Sequence, residues 1–136
     1  MMELTVEAKL DNLNQVLQFV DSRLEEADCP IGMQMKIDVA VEEIFVNIAS
    51  YAYTPDSGPA TIRMEVEENP NTAVITFLDH GVPYDPLAKD DPDVTLSIAE
   101  REIGGLGIFM VKKSMDDMDY EYQNGQNILT IRKRIG

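Results

Sequence analysis

Cysteine is nearly absent: Cys29 stands alone in 136 residues, so no disulfide can close within the chain and none marks an oxidising compartment. Histidine is equally scarce. With His80 alone, there is no His/Cys cluster of the kind a zinc site needs, and Cys29 has no histidine placed to activate it. His80 reads as a loop residue rather than a base. Tryptophan is missing, and only 11 residues are basic against 25 acidic, a formal charge of −14. Such a field repels phosphate backbones and anionic headgroups, which excludes nucleic acid and membrane surfaces as partners. No apolar run approaches a membrane span, and the opening MMELTVEAKL lacks a basic region followed by an apolar one. A cytoplasmic protein is the expectation.

What is present is an ordinary hydrophobic complement of 44%, enough for one core, and the reading is a single domain over residues 1–136. Leu4, Val6 and Ala8 alternate with polar residues as in a half-buried strand. From Asp11, the set Leu13, Val16, Leu17, Phe19, Val20 and Leu24 follows helical spacing up to Pro30, with Asp11 or Asn12 offering a capping acceptor. A second helix is predicted from about Met33 to Tyr53, with Ile37, Val41, Ile44, Phe45 and Ile48 on its buried side.

Ile62, Met64 and Val66 alternate, and Thr72–Leu78 is apolar on both phases, predicting a hairpin whose second strand is central. Residues 80–102 form a long Pro- and Asp-rich loop. A short helix is predicted over Ile108–Met115 after Gly104, Gly105 and Gly107, and Asn124–Gly125 is the turn of a closing hairpin. The run Asp116, Asp117 and Asp119 reads as a helix-to-strand turn. Strands that follow one another late in the chain favour an α+β fold: a two-layer α/β sandwich whose mixed, mostly antiparallel sheet carries helices on one face.

Three groups of residues could carry chemistry. Glu43 and Asn47, four apart on the second helix, share a face that lies roughly 120° from the buried stripe at about 100° per residue. Their neighbours Val39, Ala40, Val46 and Tyr51 are uncharged, which suits a carboxylate and a carboxamide looking into a cleft, although the spacing also fits an ordinary surface pair. Asp79 ends the central strand, and Gly81 follows it. A carboxylate beside a glycine suits an exocyclic amino group of a flat ligand, and the same pattern also begins many turns. Gly104–Gly105–Leu106–Gly107 precedes a predicted helix, where exposed backbone donors favour phosphate. A hinge or plain cap is the other reading.

In this order, EEIFVNIASYAY, LDHGVPYDP and GGLGIFMVKKSMD resemble the N, G1 and G2 boxes of the GHKL ATPases. In detail they are similar to the anti-sigma factor serine-protein kinases of bacterial partner-switching systems, over nearly the whole chain. The resemblance implies a Bergerat-type ATP-binding fold and the cofactors ATP and Mg2+. It implies Asn47 as magnesium ligand, Glu43 as general base, Asp79 and Gly81 at the adenine, and Gly104, Gly105, Leu106 and Gly107 around the phosphates. Residues 80–103 then correspond to the ATP lid, with Arg101 within reach of the terminal phosphate. Pro83 departs from the pattern, standing where many members have a second glycine.

The implied partners are a STAS-type anti-anti-sigma protein, phosphorylated on serine, and a sigma factor held elsewhere, with self-association as a dimer. The alternative is a nucleotide-responsive binding module without phosphoryl transfer.

Overall fold

The computed structural model describes residues 2–53, 56–68, 70–85 and 105–136. The N-terminal alternation becomes β1 (Met2–Glu7), and two helices follow, α1 (Leu13–Glu26) and α2 (Ile31–Tyr51). β2 (Pro59–Glu67) and β3 (Thr72–Asp79) come next, then α3 (Gly105–Ser114), β4 (Asp117–Gln123) and β5 (Gln126–Arg134). The sheet runs β1-β2-β3-β5-β4, every pairing is antiparallel, and β3 is central as its two-sided apolar pattern predicts. Its even-phase residues Val74 and Leu78 are buried outside the main core, while Ala73, Ile75 and Phe77 enter it.

That core lies between the sheet and the helices. Val16, Val20 and Leu24 of α1 and Ile37, Val41, Ile44, Phe45 and Ile48 of α2 meet Ile62 and Met64 of β2, Phe77 of β3 and Leu129 and Ile131 of β5. The whole predicted stripe of α2 is therefore buried. α2 touches both α1 and α3, and its C-terminal half lies over the end of β3.

Two local expectations change. Asn12 makes no side-chain cap. A 3-10 turn over Leu10–Asn12 leads into α1, and the Asn12 carboxamide instead donates to Glu7 O at 2.9 Å. α3 begins at Gly105, so Gly105, Leu106 and Gly107 form its first turn rather than a run before it. First-turn amides have no partner within a helix, so glycine residues there still present backbone donors. The Asn124–Gly125 turn is as expected, with φ of 55° and 78° at the two positions. The acidic run closes the α3–β4 turn: Asp116 Oδ2 accepts from Arg134 N at 2.6 Å, and Asp117 and Asp119 pair with Arg132.

One polar contact in the helical layer gives the fold a pH dependence. Asp21 of α1 faces Asp38 of α2, and an oxygen of each is buried with no donor among the described residues. Burial, then the Asp21 carboxyl, then Glu25 push Asp38 up to about 7. The native pair therefore keeps a proton that the unfolded chain has released, and the stability it confers is full near pH 4 and lost as pH rises through 7. Asp38→Asn, which donates to Asp21 at any pH, is expected to melt a few degrees above wild type at pH 8 and to lose that advantage near pH 4.5. After solvent screening of a half-exposed pair the difference is about 1 kcal/mol. Thermal melts across this range check it, and parallel pH profiles would contradict it.

Candidate functional site

β3 delivers Asp79 to its C-terminal end, where the side chain is buried at 5% exposure, and the chain then turns under the C-terminus of α2. A tight contact makes that turn. Val82 N donates to Ala52 O at 3.0 Å, and a Cβ on Gly81 would sit 2.3 Å from the same oxygen. Only glycine lets the strand exit pass so close to the helix end. Tyr53 secures the other side: its hydroxyl donates to Pro59 O at 2.6 Å and accepts from His80 N at 2.7 Å. Burial pushes the Tyr53 hydroxyl above its ordinary value, which keeps it protonated as a donor.

Between α2 and the β3, β5 and β4 strands lies an open, mostly apolar cleft, the kind of concave site in which small molecules bind. Its apolar walls come from Ile44 and Ile48 above and Phe77 and Leu129 below. Tyr51, Tyr84 and Tyr120 add rings, and Asn47, Asp79 and Asn127 are its polar groups. An apolar-walled cleft with one buried carboxylate in its lining is a fit for a heteroaromatic base carrying an amino group.

The carboxylate is held in detail. Asp79 Oδ1 accepts from Gly81 N at 2.8 Å and from Asn127 Nδ2 at 2.9 Å. Asn127 Nδ2 also donates to Val82 O at 2.9 Å, while its Oδ1 accepts from Tyr84 N at 3.1 Å and from the Tyr120 hydroxyl. Burial raises the Tyr120 hydroxyl above its usual range as well.

Of the residues singled out from sequence, Asn47, Asp79 and Gly81 come together: Asn47 and Asp79 line the cleft, and Gly81 shapes its rim. Glu43 is half-buried one helical turn before Asn47 and does not line it. Gly105, Leu106 and Gly107 open α3, whereas Arg101, Gly104 and the lid from residue 86 onward lie outside the described residues.

Asn127, Tyr120 and Tyr53 were not expected. A signal for Asn127 does exist, because it shares the phase of Leu129 and Ile131, the inward residues of its strand, and a polar side chain on a buried phase calls for a partner. That partner is Asp79, directly opposite in the β3–β5 register.

The model of the histidine kinase-like ATPase domain matches residues 6–133. The chain belongs to this family. Among relatives, the serine/threonine-protein kinase BtrW of Bordetella bronchiseptica is 26% identical over 99 residues, 73% of this chain and 69% of that protein. The anti-sigma F factor of Clostridium acetobutylicum is 26% identical over 133 residues, covering 98% and 92%. The serine-protein kinase RsbW of Bacillus cereus is 28% identical over 95 residues, and the match spans only 58% of its length.

Among solved structures, the RsbU and RsbW domains from Mycobacterium tuberculosis superpose with a TM-score of 0.68 at 14% identity, over 99% of this chain and 33% of that one. The SiaB–SiaC complex from Pseudomonas aeruginosa gives 0.61 at 14% identity, over 98% and 89%. These likenesses are of fold. The relatives named from sequence are anti-sigma factor and serine-kinase proteins, and no described helix here is long and apolar enough to cross a membrane.

Proposed function

We propose that this chain binds Mg2+-ATP in the cleft beneath α2 and phosphorylates a serine on an anti-anti-sigma partner in the cytoplasm. The observation that carries the reading is Asp79, a buried carboxylate in the lining of a mostly apolar cleft, with one oxygen tied into the fold. Names among the relatives point the same way, since one is a serine/threonine-protein kinase, one a serine-protein kinase and a third an anti-sigma factor.

In this reading Asp79 accepts the adenine amino group, and Gly81 keeps the strand exit close enough for the base to enter. Asn47, at the cleft wall, gives its carboxamide oxygen to magnesium, a hard cation that takes oxygen ligands and shares them with phosphates. The first turn of α3, with Gly105 and Gly107, offers backbone amides to the phosphates, and Gly104 is assigned to the same phosphate site by the resemblance. The bound nucleotide supplies the phosphoryl group. Glu43 would take the proton from the partner's serine hydroxyl as that oxygen bonds to the terminal phosphorus, the bond to the bridging oxygen breaks and ADP leaves, with Arg101 assigned to the charge on the transferred phosphate.

Glu43→Ala is expected to slow phosphoryl transfer by about 10²–10⁴-fold and to leave ATP affinity nearly unchanged. Transfer of labelled phosphate to a serine-bearing partner, run beside a binding titration, checks both. Undiminished transfer would overturn the role of Glu43.

A second reading has its own support. The relative matched over almost its full length is named as an anti-sigma factor, and Glu43 stands outside the cleft lining. In that reading nucleotide occupancy switches affinity for a partner without transfer. Partner affinities that are equal with ATP, ADP and no nucleotide would count against it.

A further inference from the structure

Asn127 uses all of its hydrogen-bonding capacity within the protein. A carboxamide has two donor hydrogens and two acceptor sites. Here the hydrogens go to Asp79 Oδ1 and Val82 O, and the oxygen accepts from Tyr84 N and the Tyr120 hydroxyl. The side chain is 7% exposed. It lines the cleft, yet it has nothing left to offer a ligand, so any influence on binding passes through the groups it holds. These are one oxygen of Asp79, the Tyr120 hydroxyl, and the backbone on both sides of Pro83, with Tyr120 and Pro83 themselves part of the cleft wall.

The consequence for Asp79 is directional. With Oδ1 occupied by Gly81 N and Asn127 Nδ2, and no donor among the described residues on Oδ2, the carboxylate presents a single acceptor in one orientation. We propose that Asn127 is the positioning residue for base recognition, fixing Asp79 so that the cleft selects an amino-bearing purine over one with a carbonyl at the same position. This rests on the adenine-nucleotide reading above and adds the determinant of its selectivity.

The chemistry is a matter of sign. Adenine offers an N–H donor at its exocyclic position and guanine a carbonyl acceptor. An acceptor facing Asp79 Oδ2 finds no proton, and a site built for a donor strongly rejects the analogue that lacks it. That rejection needs the carboxylate to stay in place. In Asn127→Ala, Asp79 Oδ1 keeps only the Gly81 amide, Val82 O and Tyr84 N lose a partner, and the carboxylate is free to leave its rotamer.

The test is calorimetric affinity for ADP, with GDP measured by competition, on folded wild type, Asn127→Ala and Tyr120→Phe. Wild type is expected to prefer ADP by about 100-fold or more. Asn127→Ala should lose about tenfold in ADP affinity with little change for GDP, so that the preference narrows about tenfold, as the loss of one well-placed hydrogen bond implies.

A merely structural role would weaken both nucleotides alike and leave the ratio unmoved, and that result overturns the proposal. Should Asn127→Ala fail to fold, Tyr120→Phe carries the test: it removes one of the two donors that hold Asn127 Oδ1 and so loosens the carboxamide, and the preference should narrow about threefold for this partial loss of positioning, an unchanged ratio again being contrary. Wild type that binds neither nucleotide overturns the adenine reading and this inference with it. An ADP-selective wild type and an equally selective Asn127→Ala overturn this inference alone.

Discussion

Gly81→Ala is expected to lower the melting temperature by roughly 10 °C and to remove detectable nucleotide binding. The added Cβ would lie 2.3 Å from Ala52 O, 2.6 Å from its carbonyl carbon and 2.6 Å from its Cβ. Two of these atoms are backbone, so no side chain can turn aside. Either the end of α2 or the strand exit must shift, and the Val82 N to Ala52 O bond at 3.0 Å breaks in both cases. Overpacking of this kind costs about 1–3 kcal/mol and the lost hydrogen bond about 1 more, which together give the melting shift. Binding suffers separately, because the rim of the cleft is built on this contact. Melts and nucleotide titration of the variant check the two parts. A variant as stable as wild type would mean that the strand exit and the helix end are not tightly apposed in solution.

Asn47→Ala is expected to leave the fold intact and to cut ATP affinity in the presence of magnesium by about 100-fold. Asn47 is half-buried on the cleft side of α2 and has no place in the main core, so its truncation removes little packing. Its carboxamide oxygen is, in the proposed reading, the protein's own ligand to a cation that otherwise coordinates phosphate oxygens and water. Losing a charge-assisted contact of about 1.5–3 kcal/mol translates into a ten- to hundredfold change. The sharper expectation is that wild type and variant bind equally once magnesium is removed. If the variant remained weaker under those conditions, Asn47 would be touching the nucleotide itself.

Much of this architecture is legible in the sequence because local patterns and the final packing agree. The stripe from Ile37 to Ile48 points into the core, the two-phase apolar run from Thr72 makes a central strand, and Asn124–Gly125 closes a hairpin. Asp79 and Gly81 are recognisable for the same reason, as a carboxylate and a small residue at a strand exit. What the residues alone do not reveal depends on pairing across long sequence separations. Asn127 becomes meaningful only when β5 is placed beside β3 in a register that sets it opposite Asp79.

Tyr53 likewise reads as one more aromatic at a helix end until β2 and β3 bring Pro59 and His80 to its hydroxyl. The cap expected at Asn12 fails because a 3-10 turn intervenes and gives the side chain a different partner, Glu7 O. The start of α3 moves forward to Gly105 because glycine's low helix propensity matters less in a first turn, where the amides have no internal partners.

Calorimetric titration of the wild-type chain with ATP, with and without Mg2+, decides whether the cleft beneath α2 is the magnesium-dependent ATP site proposed above. Saturable one-site binding that weakens strongly when the metal is withheld is the expected result. No detectable heat at high ATP, or binding indifferent to magnesium, would contradict it.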